Sequence, residues 1–139
     1  VGKDKDEKRY RALAQSLGCS DRVHFMGVQK QTLPFYQAAD ALLLPTLYDP
    51  FPNVILEAMS CGLPVITSTT CGGAEFITPG QNGFVTDALD VPAITEAIRA
   101  LPRQALGSSM GEAARLRIMT ATPAHLSEQL ISLYNRLLD

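Results

Sequence analysis

The sequence predicts an α/β protein built on a doubly wound, Rossmann-like parallel sheet. Short continuous apolar runs alternate with longer stretches of helical spacing, and each run is followed by a helix. After Leu106 the pattern changes, because no strand signal follows it.

Four runs read as strands: Val23-His24-Phe25-Met26, Ala41 to Leu44, Pro64 to Thr67 and Gly83 to Thr86. The middle two are apolar on both faces, as strands of a covered parallel sheet must be. Helices are expected over Asp6 to Leu17, closed by Gly18, and over Thr32 to Ala39. Two more are expected over Asn53 to Cys61, closed by Gly62, and over Val91 to Leu101 after the cap Asp90. The tail reads as a closing pair of helices, the last opened by Thr122-Pro123 and striped by Leu126, Leu130, Leu133, Tyr134 and Leu137. The chain is thus one domain, with an α/β part over residues 1–101 and a helical part over 102–139. Such sheets bind ligands beyond the carboxyl ends of their strands, so the site is expected in the loops that follow strands.

Composition narrows the function classes. With 139 residues, 46% of them hydrophobic, the chain can bury a core of its own. A net charge of -2 with interspersed signs leaves no basic face for nucleic acid. The apolar runs fall far short of the ~20 residues that cross a bilayer, and no charged-then-apolar leader opens the chain. A cytoplasmic protein is expected. Cys19, Cys61 and Cys71 have neither CxxC nor zinc-ligand spacing, which fits reduced thiols acting as small buried apolar residues and predicts no metal site. His24 reads as a structural histidine within its strand, and Arg99, Arg103, Arg115 and Arg117 as solvated helix surface. No G-x-G-x-x-G follows a strand, which disfavours a nicotinamide dehydrogenase.

The segment from Pro45 to Ile66 carries the chemistry, running strand end, loop, helix, strand. Asn53 reads as the helix cap, and the free N–H groups of the turn after it would favour an anion such as a phosphate. Glu57 lies in a helix otherwise made of Val54, Ile55, Leu56, Ala58, Met59 and Cys61, where a carboxylate needs a partner. Four residues from the cap is one too many for a capping box. Two readings stay open for it: an acceptor for a ligand's hydroxyl pair, or a half-exposed acid favoured by the helix dipole. Asp49 can flank the same site from the loop, or serve as a turn former before Pro50. The Thr- and Gly-rich loop Thr69 to Glu75 reads either as a close backbone approach to a ligand or as a plain turn.

Asp49, seven residues, then Glu57-Ala58-Met59-x-Cys61-Gly62-Leu63-Pro64-Val65-Ile66 resembles the acid, seven residues, acid motif of retaining family 4 glycosyltransferases. Val23 to Gly27, Ala38 to Pro45, Gly72-Gly73-Ala74-Glu75 and Gly80 to Val85 resemble the family's flanking segments. The resemblance implies the C-terminal, nucleotide-sugar-binding half of a two-domain GT-B fold. It gives Glu57 the ribose hydroxyls of the donor and Asp49 the donor sugar. Phe51, Asn53 and Val54 would offer backbone N–H groups to sugar and phosphates, and Gly72, Gly73 and Glu75 would complete the donor site. Two positions depart from the commoner pattern: Asp49 replaces a Glu, and Pro52 replaces a Gly and removes one N–H. The variant is most similar to transferases of lipopolysaccharide core assembly.

The implied activity is transfer of a hexose such as glucose, with retention and without metal or cofactor, from a nucleotide sugar such as a UDP-sugar to a lipopolysaccharide or other polysaccharide acceptor. A nucleotide-sugar epimerase of the same fold and a non-catalytic nucleotide-sugar-binding module are the alternatives. The resemblance also places before Val1 the domain's first strand, an Arg and Lys for the pyrophosphate, and an N-terminal domain for a lipid-linked acceptor. Val1-Gly2 would end the second strand. The chain would then be a fragment, inactive alone, from a protein peripheral at the inner face of the bacterial inner membrane. Its open edge at Ala41 to Leu44 would pair with a second copy or re-pair internally.

Overall fold

The computed structural model describes residues 1–3, 5–104, 107–119 and 121–138, and all their side chains but those of Pro123 and Leu126. The chain divides into two units, Val1–Phe35 and Tyr36–Asp139.

In the first unit, α1 (Glu7–Ser16) carries an Arg11–Glu7 bond of 2.8 Å one turn apart and buries only Ala14. Gly18, at φ +64°, ends it as expected, because only glycine enters the left-handed region at no steric cost. A 3₁₀ turn follows at Ser20–Arg22. The expected strand at Val23 to Met26 does not form, nor does a strand end at Val1-Gly2. A strand exists only where a neighbour pairs its row of N–H and C=O groups, and the one backbone bond between these segments, Gly2 N to Gly27 O at 2.7 Å, makes no ladder. Phe25 lies under the Arg11 guanidinium, 4.5 Å from its ring centroid. His24 is exposed, so it is not the structural histidine expected.

In the second unit, β1 (Leu42–Leu44), β2 (Val65–Ser68) and β3 (Gly83–Thr86) form a parallel sheet in the order β1-β2-β3, one wing of the doubly wound arrangement. The register sets Leu43 against Ile66 and Ile66 against Phe84. α2 (Leu33–Ala38) precedes β1, α3 (Asn53–Ser60) crosses from β1 to β2, and α4 (Val91–Arg99) follows β3. Asp90 caps α4 as expected, accepting from Ala93 N at 2.9 Å. β2 is buried at all four positions, but Leu43 of β1 is 45% exposed. The double-sided burial expected of β1 therefore fails: side chains alternate along a strand, and the face carrying Leu43, opposite Leu42 and Leu44, is left exposed.

The core gathers Ile55, Ala58 and Met59 of α3 with Leu63, Val65, Cys71 and Ile77, and with Ala114 and Ile118 of α5 (Ser109–Met119). Gly62 closes α3 at φ +76°, a left-handed conformation that favours glycine. α6 (Pro123–Leu138) departs from expectation. Leu130, Leu133, Tyr134 and Leu137 are all exposed, so α5 rather than α6 closes the core. Leu106 and the side chain of Leu126 lie outside the described residues. Of the thiols, Cys71 is buried while Cys19 and Cys61 are half-buried.

Candidate functional site

The loop after β1 and the loop after β2 are stitched together. Thr67 Oγ1 donates to Leu44 O at 3.0 Å, and Thr70 Oγ1 to Thr46 O at 2.9 Å. Ser68, fully buried, donates through Oγ to Thr46 O and accepts from Thr46 N at 3.1 Å. These hydroxyls satisfy backbone groups where β1 turns away from the sheet and the ladder ends, and buried groups of that kind cost free energy if left alone. Further on, Asp49 forms a parallel bridge with Cys71, and Gly72 N donates to Asp49 O at 2.9 Å.

Gly72 begins the 3₁₀ turn Gly72–Phe76. A Cβ on Gly72 would fall 1.7 Å from Pro50 O, and one on Gly73 2.5 Å from Ile55 Cδ1. The close backbone approach read from the glycines is therefore an approach to the neighbouring loop. Phe51 and Phe76 meet edge to face with centroids 5.7 Å apart. Arg117 lies 5.4 Å over the Phe76 ring and donates to Glu75 O at 3.3 Å, so it is an anchor between elements rather than plain solvated surface. Arg99, by contrast, only pairs with Glu96 on its own exposed helix face. The Glu75 side chain is exposed.

Of the two acids, Asp49 uses Oδ1 to accept from Phe51 N at 3.1 Å, a local turn of the kind Asp favours. The Phe51 N–H expected to face a ligand is thus engaged within the loop. Asn53 is not the helix cap: Pro52 occupies that position with φ -76° and ψ 117°, and Asn53 is the first helical residue. No side chain caps the helix. The Asn53 and Val54 amides have no intrahelical acceptor, since a helix leaves its first N–H groups open, while Ile55 N donates to Pro52 O at 3.1 Å.

Glu57 stands one turn on from Asn53, on the same face and about 6 Å along the axis. It is exposed, and its Oε2 accepts from Tyr36 Oη of α2 at 2.8 Å. Among the described residues no other partner engages this carboxylate. Partial burial pushes the Tyr36 hydroxyl up to about 12, helped by the bond to Glu57, by its charge and by Cys61 nearby. Spacing did not point to Tyr36, Thr46, Ser68 or Arg117. The one sequence signal was the hydroxyl run Ser68-Thr69-Thr70 directly after an apolar strand. Among the described residues no three His, Cys, Asp or Glu side chains gather where a metal ion would be held.

The parallel sheet, its locked strand-end loops and the uncapped helix start at their carboxyl ends define an α/β domain of the doubly wound class. The family model for the group 1 glycosyl transferases matches residues 1–117, and the chain belongs to that family. It is 37% identical over 109 residues to the lipopolysaccharide glucosyltransferase WaaG of Escherichia coli K12, covering 78% of this chain and 28% of that protein. Among solved structures, sucrose-phosphate synthase from Thermosynechococcus elongatus superposes on 99% of this chain and 37% of its own, with a TM-score of 0.78 and 31% identity. Anabaena HepE in complex with UDP-glucose superposes with a TM-score of 0.60 and 28% identity, over 91% of this chain and 36% of its own. The chain spans 30% and 28% of the length of the first two curated relatives it matches.

Proposed function

We propose that the chain is the donor-binding part of a retaining glycosyltransferase that transfers a hexose such as glucose from a UDP-sugar to a lipopolysaccharide or other polysaccharide acceptor. The observation that carries this reading is the placing of Glu57 one turn on from the open start of α3, on the same face. Phosphate oxygens would meet the Asn53 and Val54 amides, and the ribose hydroxyls would meet Glu57. The structure of HepE with UDP-glucose, at 28% identity, supports the choice of donor, and the lipopolysaccharide glucosyltransferase at 37% identity supports the acceptor class.

Asp49 has the role of contacting the donor sugar through the oxygen left beside its bond to Phe51 N. Gly72 and Gly73 hold the donor loops together, and Glu75 lines their rim. The helix start would stabilise charge on the leaving diphosphate, which is electrostatic catalysis and asks for no metal or cofactor. The acceptor, a lipid-linked saccharide, would be met by another part of the protein, and the setting is cytoplasmic, peripheral at a membrane face. No described helix is long and apolar enough to cross a membrane. We also assign the exposed edge of β1 to pairing with a second copy of the chain.

Glu57→Gln in the intact protein should weaken UDP binding by about 1–3 kcal/mol, since one acceptor oxygen becomes a donor. Calorimetry reads this directly, and unchanged affinity would remove Glu57 from the ribose. Asp49→Ala should lower turnover more than nucleotide affinity. Release of free nucleotide together with glycosylated acceptor is the expected product pair; an epimerised nucleotide sugar, or binding without turnover, would overturn the transferase assignment.

A further inference from the structure

We infer that Tyr36 is a positioning residue for the Glu57 carboxylate, holding it so that its open acceptor sites meet the ribose diol of a nucleoside diphosphate. The inference rests on the ribose-binding role proposed above for Glu57. Tyr36 lies 21 residues away on another helix, and its ring is half-buried against the core cluster that includes Ile55, Ala58 and Met59. Its hydroxyl is therefore anchored, while the carboxylate it holds at 2.8 Å is exposed.

A glutamate on an exposed helix face samples several rotamers, and a ligand that needs one of them must oppose that freedom. A carboxylate already held by an anchored donor avoids this loss on binding. The hydrogen-bond capacity also suffices. Two carboxylate oxygens offer about four acceptor sites, Tyr36 takes one, and a vicinal diol needs two. Tyr36 cannot act as a base in the neutral range, because partial burial and the acid beside it keep its hydroxyl protonated up to about 12. It is fixed as a donor to Glu57.

The test is Tyr36→Phe in the intact protein, which removes only the hydroxyl and keeps the ring packed. UDP affinity measured by calorimetry should fall about three- to tenfold, and donor KM should rise with kcat retained. Affinity for 2′,3′-dideoxy-UDP, which lacks the diol, should be the same in wild type and variant. Adding Tyr36→Phe to Glu57→Ala should change UDP affinity no further. An equal loss for both nucleotides would make Tyr36 a structural tie between helices and overturn the inference. Unchanged UDP affinity in Tyr36→Phe, with a loss in Glu57→Ala, would overturn the inference and leave the ribose role of Glu57 standing. No loss in Glu57→Ala would overturn both.

Discussion

A carboxylate set in an apolar helix announces that it needs a partner, and Glu57 finds one in the Tyr36 hydroxyl at 2.8 Å. The bond has a consequence at high pH. The hydroxyl pKa is raised from 10.0 to about 12 in the folded protein, so folding favours the protonated phenol. That contribution to stability is complete below pH 10 and is lost as pH rises through about 12. Titration followed by tyrosinate absorbance should therefore show one tyrosine ionising near pH 12, and this step should vanish in Tyr36→Phe. Loss of a step near pH 10 instead would show that the hydroxyl does not face Glu57 in solution. Glu57 is exposed, as one of its two sequence readings had it, and its polarity within an apolar helix was legible in its neighbours. The identity of the partner was not, because periodicity relates residues three or four apart on one helix and says nothing of a side chain arriving from another.

The elements divide by how much of their stability is local. β2 and β3 were legible to within a residue, because short continuous runs rich in β-branched and aromatic residues mark a strand. Val23 to Met26 has an equally apolar pattern but no ladder, since pairing depends on a neighbour that a local pattern cannot supply. The cap of α3, though not its range, was misplaced by one residue for a related reason. Asn53 is a good cap by type, but Pro52 holds the extended geometry that a cap requires. The two loop glycines differ in what they would strike. Gly72→Ala drives a methyl into the Pro50 carbonyl, which can move only by parting the loops; a loss of about 2–3 kcal/mol is expected. Gly73→Ala meets the tip of the Ile55 side chain, which can turn aside, for about 1 kcal/mol. Urea unfolding of the two variants measures the difference, and equal costs would mean that the Pro50 contact is not held in solution.

At the scale of the molecule, the sheet is covered unevenly. Its central strand is buried throughout, whereas Leu43 in β1 is 45% exposed on a strand that, among the described residues, is paired on one side. Free N–H and C=O groups beside an exposed leucine are a template for strand pairing. The 139-residue chain should accordingly self-associate as concentration rises, and Leu43→Lys should hold it monomeric, because a charge on an edge strand opposes pairing. Small-angle scattering over a dilution series distinguishes these outcomes. A parent chain that stays monomeric, with its β1 amides protected from hydrogen exchange, would place the pairing within one copy.

The stitched loops also bear on how such a site can diversify. Asp49 O receives Gly72 N, and Thr46 is bound by both Ser68 and Thr70, so neither loop has a backbone path independent of the other. A chimera that imports residues 45–52 from a relative while keeping residues 69–76 must preserve the backbone path at residue 50, because Gly72 is packed against that carbonyl. The two loops therefore have to be exchanged as one package, and recombination that respects this boundary leaves the sheet beneath them intact.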